Sequence, residues 1–222
     1  MIMKKLLKII FSLPKTVWFN LRYLPLNQAL KLPVWIAYNV KVSAAVGVML
    51  PSKVDLAMIR IGFHHVPVCN PNDRTVLNIE KGGILVFKGT AHIGHGSKIH
   101  VAKGGYLELG DNFAISASSQ LNCYKRILFG KDIQFSWDCL IMDSDTHTII
   151  GESGSVVNEA QEIVFGDKVW IGCRTTILKG CHIPSHCVIG ASSLVSGKHF
   201  ESHTIIAGVP AKSVRRIKDW EL

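Results

Sequence analysis

Residues 165–195 read FGDKVWIGCRTTILKGCHIPSHCVIGASSLV. Counted in steps of six, Phe165, Ile171, Ile177, Ile183, Ile189 and Val195 fall on one recurring position, and all six are apolar. A helix recurs at three and four and a two-faced strand at two, so neither asks for this spacing. A parallel β-helix does, because each six-residue unit forms one short face and about three units close a coil. The position two before each apolar residue holds Val169, Thr175, Cys181, Cys187 and Ser193, all compact, as a tight corner requires.

The same step runs upstream. It is visible at Ile93 and Ile99, slips at Gly104-Gly105, and resumes at Leu109, Ile115, Leu121 and Ile127. A second slip of two residues sets Phe129, Phe135, Ile141 and His147. Position 165 lies eighteen residues past 147, so the register is the same on both sides of residues 148–162. That stretch is too polar and Gly-rich for coil interior, and it reads as a protruding loop, the usual place for binding residues on a rigid scaffold. Residues 34–42 alternate as a strand that leads into the coils, whereas residues 43–80 are β-rich without a readable register. Ahead of them Ile2, Leu6, Ile9 and Leu13 share one face of a helix and Lys4, Lys5, Lys8 and Lys15 lie elsewhere, with Pro14 expected to end it. The C-terminal residues leave the repeat through Gly208-Val209-Pro210 and are expected to form a short basic helix carrying Lys212, Arg215, Arg216 and Lys218.

The division expected is therefore 1–45 as N-terminal amphipathic helix and lead-in strand, 46–205 as parallel β-helix with the 148–162 loop, and 206–222 as C-terminal extension and helix. The formal net charge of +9 and pI of about 9.3 suit an anionic ligand, a phosphorylated cofactor or an acidic membrane surface. Nucleic acid is not an expected partner, since no aromatics interleave with Lys and Arg. The six cysteines include no CxxC pair, and Cys139, Cys181 and Cys187 fall on the corner position, so they read as reduced, small buried side chains in a cytoplasmic protein. No run of about 18 apolar residues could cross a bilayer. The basic helix of residues 1–13 is left with two roles, peripheral contact with the inner face of a membrane or packing on the first coils or a neighbouring subunit.

Five elements occur in order: Asp143-Ser144-Asp145-Thr146-His147, the loop, Val169-Trp170-Ile171-Gly172, Val188-Ile189-Gly190-Ala191-Ser192-Ser193, and Ala207-Gly208-Val209-Pro210-Ala211-Lys212. Together they resemble the hexapeptide-repeat acyltransferases, most of all the maltose, galactoside and capsule or O-antigen sugar O-acetyltransferases, over about residues 90–217. The resemblance implies a left-handed parallel β-helix, a homotrimer with active sites between subunits, acetyl-coenzyme A as co-substrate without a metal, and a sugar or glycan acceptor. It implies His147 as catalytic base, Asp143 and Asp145 as acceptor-binding or His-orienting, and Trp170, Cys173, Ala191, Lys198, Lys212 and Arg215 as cofactor-binding. The chemistry agrees with the residue type: a sugar hydroxyl does not ionise at neutral pH, and histidine, with an ordinary pKa of about 6.5, can accept its proton. No Ser or Cys has a marked activating partner, so direct attack without a covalent intermediate is expected.

Two other readings remain at this stage. Ile93-Gly94-His95-Gly96-Ser97-Lys98-Ile99-His100 resembles the metal-binding run of the gamma-class carbonic anhydrases, with His64 or His65 as the third ligand a zinc site needs. A non-catalytic β-helix scaffold is the other.

Overall fold

The computed structural model describes residues 2–44, 47–64, 66–197 and 200–221, the side chains of residues 2–5 and 44 excepted. It is a parallel β-helix of three sheets, in which each strand is hydrogen-bonded to its equivalents one coil below and one coil above. Sheet one runs from Val34–Ile36 to Ala211–Arg216, sheet two from Lys41–Ala44 to Leu194–Val195, and sheet three from Val48–Met49 to His182–Ile183. The apolar positions of the six-step repeat all point inward. Ile93, Ile115, Phe135, Ile171, Ile189 and Ile206 stack in sheet one, and Ile99, Leu121, Ile141, Ile177 and Val195 stack in sheet two. All of them are buried, as are the compact corner residues Val169, Thr175, Cys181, Cys187 and Ser193.

The slips have a structural cause. In the middle coils sheet three is long enough to carry two inward side chains per strand, such as Leu107 with Leu109 and Ile127 with Phe129. The second extra pair places Phe129 inward, where it stacks on Phe165 with ring centroids 4.5 Å apart. Many corners between sheets turn on one residue in the left-handed region. Asn112, Asp132, Lys168, His186 and His203 do so ahead of sheet one, and Ser118, Asp138, Arg174 and Ser192 behind it. Coils stack closely at these corners: a Cβ on Gly172 would stand 2.6 Å from the Ala191 backbone nitrogen, so no larger residue fits there.

Three expectations are corrected. The coils begin at Val34 rather than at residue 46, and residues 34–42 are two strands, Val34–Ile36 and part of Lys41–Ala44, bent round the first corner. The C-terminal segment is a strand, Ala211–Arg216, not a helix. Gly208, at φ +110, and the turn through Pro210 return the chain antiparallel along the strand Thr204–Gly208, whose outer edge would otherwise have bare backbone groups. Lys212 and Arg215 therefore lie on a sheet edge.

The third correction concerns the N-terminal helix, α1, which spans Ile2–Tyr23 and passes through Pro14. A proline inside a helix costs about 3 kcal/mol. What offsets it is a polar stripe at i, i+4, i+8. Ser12 Oγ accepts from Tyr38 N (3.0 Å), Thr16 Oγ1 from Ile36 N (3.1 Å) and Asn20 Oδ1 from Val34 N (3.2 Å), while Asn20 Nδ2 donates to Val34 O (2.7 Å). All three side chains are buried. Lys8 and Lys15 add their ammonium groups to the carbonyls of Gly62, Tyr38 and Val40. The helix thus turns polar residues inward to cap the open edge of the first coil, the reverse of an ordinary amphipathic packing. Asn20→Ala strands two buried backbone groups of Val34 and is expected to cost about 2–4 kcal/mol in urea unfolding; a change under about 0.5 kcal/mol would mean that the cap contributes little.

Candidate functional site

Phe135 pairs with Ile171, whereas in the next coil Ile171 pairs with Ile189. The chain thus spends 36 residues on a step that takes 18 in the next coil, and the surplus is the predicted loop, leaving the body after the strand Leu140–Met142 and rejoining it at Ile163–Phe165. Its length matches one coil, which is why the six-step count came out unchanged on both sides. His147, on an inward position by that count, sits instead on the loop and is exposed.

Asp143 anchors the loop's exit. It is fully buried, with Oδ1 accepting from Tyr124 N (2.7 Å) and Oδ2 from Lys125 N (2.8 Å) and Arg126 N (2.7 Å). Burial, with this carboxylate beside it, pushes the Cys123 thiol far up. Asp145 takes Lys179 Nζ at 2.6 Å and Asn158 Nδ2 at 2.9 Å, and Lys179 followed by Asn158 holds its carboxyl below the usual range. Asn158 ties the loop base together by also donating to His147 O (2.7 Å) and accepting from Ile149 N (2.6 Å). Among the described residues neither carboxylate is hydrogen-bonded to the His147 ring, and for Asp143 and Asp145, expected in acceptor-binding or His-orienting roles, the structure shows instead bonds that hold the loop. The ring's neighbour is Thr146, with Oγ1 3.1 Å from Nδ1. Asn158 and Lys179 were not marked by the sequence, because a six-step reading is blind to contacts across a loop.

The expected cofactor-binding residues gather elsewhere. Trp170 lies on the outer face of sheet one, its Nε1 3.2 Å from Ser136 Oγ, beside a cleft of about 270 Å³ that Trp220 also lines. Trp170, Val188, Ile205 and Arg215 succeed one another across that sheet, and Lys212 pairs with Ala207 at its exit edge. At the same edge come Gly172-Cys173, Gly190-Ala191 and Ala207, a column of small residues. Lys198 lies outside the described residues. The C-terminal end straps this face: Trp220 Nε1 donates to Lys168 O (2.9 Å), and Asp219, paired to Lys168 and His186, has its carboxyl held down to about 2, chiefly by Lys168.

These two groups do not meet within one chain. Cys173 and Ala191 precede the sheet-two strands Thr176–Leu178 and Leu194–Val195, whereas Asp143, and the loop pinned to Lys179, follow strands of that same sheet. They stand on opposite edges of it. His95 is buried with Nε2 3.3 Å from Asn70 O, and His100 places Nε2 3.1 Å from Glu80 Oε1, so each ring has a protein partner. Among the described residues no three His, Cys, Asp or Glu are grouped to hold a metal ion; His65 lies outside them.

Asp143→Ala leaves three backbone donors unpaired and is expected to lose about 3 kcal/mol or more of stability, read from the thermal midpoint. Asp145→Asn should leave the midpoint nearly unchanged yet speed amide exchange across 146–158. Because the Asp145 carboxyl is lowered on folding, its clamp holds above the ordinary aspartate range and fails only as pH falls through its own lower value; exchange in the loop that already rises between pH 7 and 5 would contradict this.

No family model matches the chain. Among curated proteins it is 27% identical over 156 residues to WbbJ of Escherichia coli, named as a lipopolysaccharide biosynthesis O-acetyl transferase, covering 64% of this chain and 79% of that one. It is also 27% identical over 128 residues to the galactoside O-acetyltransferase of Escherichia coli, covering 58% of this chain and 59% of the relative. The solved structure of the polySia specific acetyltransferase NeuO superposes with a TM-score of 0.57 at 23% identity, over 86% of this chain and 89% of that one, a likeness of fold. The order of motifs, the stacked three-sheet coil and these relatives agree: the chain has the left-handed parallel β-helix fold and is similar in sequence to sugar O-acetyltransferases.

Proposed function

We propose that the protein transfers an acetyl group from acetyl-coenzyme A to a hydroxyl of a sugar or surface-polysaccharide precursor, in a homotrimer whose sites lie between subunits. The names of the relatives support the reaction class and acceptor. The observation that carries the site is His147, an exposed imidazole on a loop fixed at its base by Asp145, Asn158 and Lys179. With Nδ1–H donated to Thr146 Oγ1, Nε2 keeps its lone pair for the acceptor hydroxyl. Nε2 takes the hydroxyl proton as the sugar oxygen attacks the thioester carbonyl; collapse of the tetrahedral adduct releases the coenzyme A sulfur, to which the proton returns.

The loop edge of one copy against the small-residue edge of the next would bring the halves of the site together. The column of Gly172, Cys173, Gly190, Ala191 and Ala207 leaves room for a thin pantetheine arm, Trp170 offers a flat wall, and Lys198, Lys212 and Arg215 are the cations for the phosphates. His147→Ala is expected to lower kcat at least about 100-fold in a thiol-release assay with acetyl-coenzyme A and a panel of sugars, while cofactor affinity is kept. Near-normal turnover would remove His147 from this role. Arg215→Ala should raise the cofactor Kd about 10-fold with kcat little changed, and an unaltered Kd would remove Arg215 from the phosphate site.

A further inference from the structure

Because α1 spends its polar stripe on the first coil, its apolar side is left outside. Leu7, Phe11, Trp18 and Leu21, with the exposed Pro14 bridging Phe11 and Trp18 at steps of three and four and Ile10 beside them, form one outward strip, and the five large side chains are each 44–64% exposed. Leu26 and Leu30, in the short helix Leu26–Ala29 and just after it, extend the strip at 65% and 71%. Isolated exposed leucines are ordinary, but a contiguous strip along a helix of 22 residues marks a surface that something covers.

The charge around the strip says what covers it. Residues 1–54 hold eight of the 25 Lys and Arg and none of the 16 Asp and Glu, so eight of the nine net positive charges lie in this quarter of the chain. Lys8 and Lys15 are committed to coil carbonyls, whereas Arg22, Lys31, Lys41 and Lys53 are exposed. A second copy presenting the same cap would set like charges against each other. An anionic phospholipid surface would meet both features, the basic rim with its headgroups and the apolar strip with its acyl boundary.

We infer that the outward face of α1 is a docking surface for an anionic bilayer, in which the helix lies in the plane of the interface. It does not cross: no described helix is long and apolar enough, and Ser12, Thr16 and Asn20 tie α1 lengthwise to the body. This inference stands apart from the acyl-transfer reading, since it needs neither His147 nor a cofactor.

The test is co-sedimentation of the full chain with vesicles of phosphatidylcholine alone and with 30% phosphatidylglycerol, a fraction of about the order at which a basic patch responds. Binding should be at least about 10-fold stronger to the anionic vesicles and should weaken in high salt. Phe11→Ser with Trp18→Ser, which also removes edge contacts with Tyr38 and Tyr23, should abolish it with only a small fall in the thermal midpoint. Lys31→Glu with Lys53→Glu, which leaves the strip intact, should weaken it several-fold. Equal binding to both vesicles, no binding to either, or a strip whose serine variants change the oligomeric state but not vesicle binding would each overturn the inference, the last pointing to a second copy as the occupant.

Discussion

The fold depends on a match of two spacings. Every fourth residue of a helix advances about 6.0 Å and every second residue of a strand about 6.6 Å, so Ser12, Thr16 and Asn20 can meet Tyr38, Ile36 and Val34 one for one. In the body of the prism each backbone group finds its partner in the coil above or below, and the interior is filled by residues that have no other task. The first coil has no coil beneath it. A row of buried N–H and C=O groups without partners there would cost more than any single core side chain returns, and the helix removes that cost with side-chain amide and hydroxyl groups. At the other end the chain uses a different device, folding Ala211–Arg216 back as an antiparallel strand on the edge of sheet one.

This is also why the middle of the molecule was legible in the sequence and its ends were not. A six-step repeat states which residues are inside, and the structure buries every six-step position from Phe165 to Val195. At the N-terminus the usual rule, apolar face inward, holds only when the helix meets side chains. Here it meets strand backbone, so Ser12, Thr16 and Asn20 face in and the leucines face out. At the C-terminus Lys212, Ser213, Val214, Arg215 and Arg216 are all exposed, leaving neither helical nor strand periodicity to read; what makes them a strand is the bare edge alongside.

The candidate site was legible in part for similar reasons. The loop showed itself by composition, and His147 by the motif around it. Asp143 had two readings that sequence could not separate, since a carboxylate that caps three backbone amides and one that faces a substrate look alike in a string of letters. The clamp of Asp145, Asn158 and Lys179 joins positions up to 34 residues apart, and only the insertion of a whole coil's length into the step from Phe135 to Ile171 brings them together. The rejoining strand finds its register through its own inward residues, Ile163 and Phe165, paired to Ile127 and Phe129.

The two proposals are linked by the geometry of the stack. From Lys41–Ala44, in the capped coil, sheet two reaches the strand Leu140–Met142 in four steps. At about 4.8 Å per step the loop stands about 20 Å from the end that α1 closes. With α1 lying on a bilayer, the coil axis need not be parallel to the membrane, because the helix covers one end of the prism rather than one side. With the diameter of α1, about 10 Å, added, an imidazole on that loop would stand about 30 Å from the interface, out of reach of a lipid hydroxyl but within reach of a sugar several units along a glycan that is anchored by a lipid. If both proposals hold, a sugar several units along such a glycan suits this height better than its lipid-proximal residue, and the height would follow from the number of coils rather than from any one side chain.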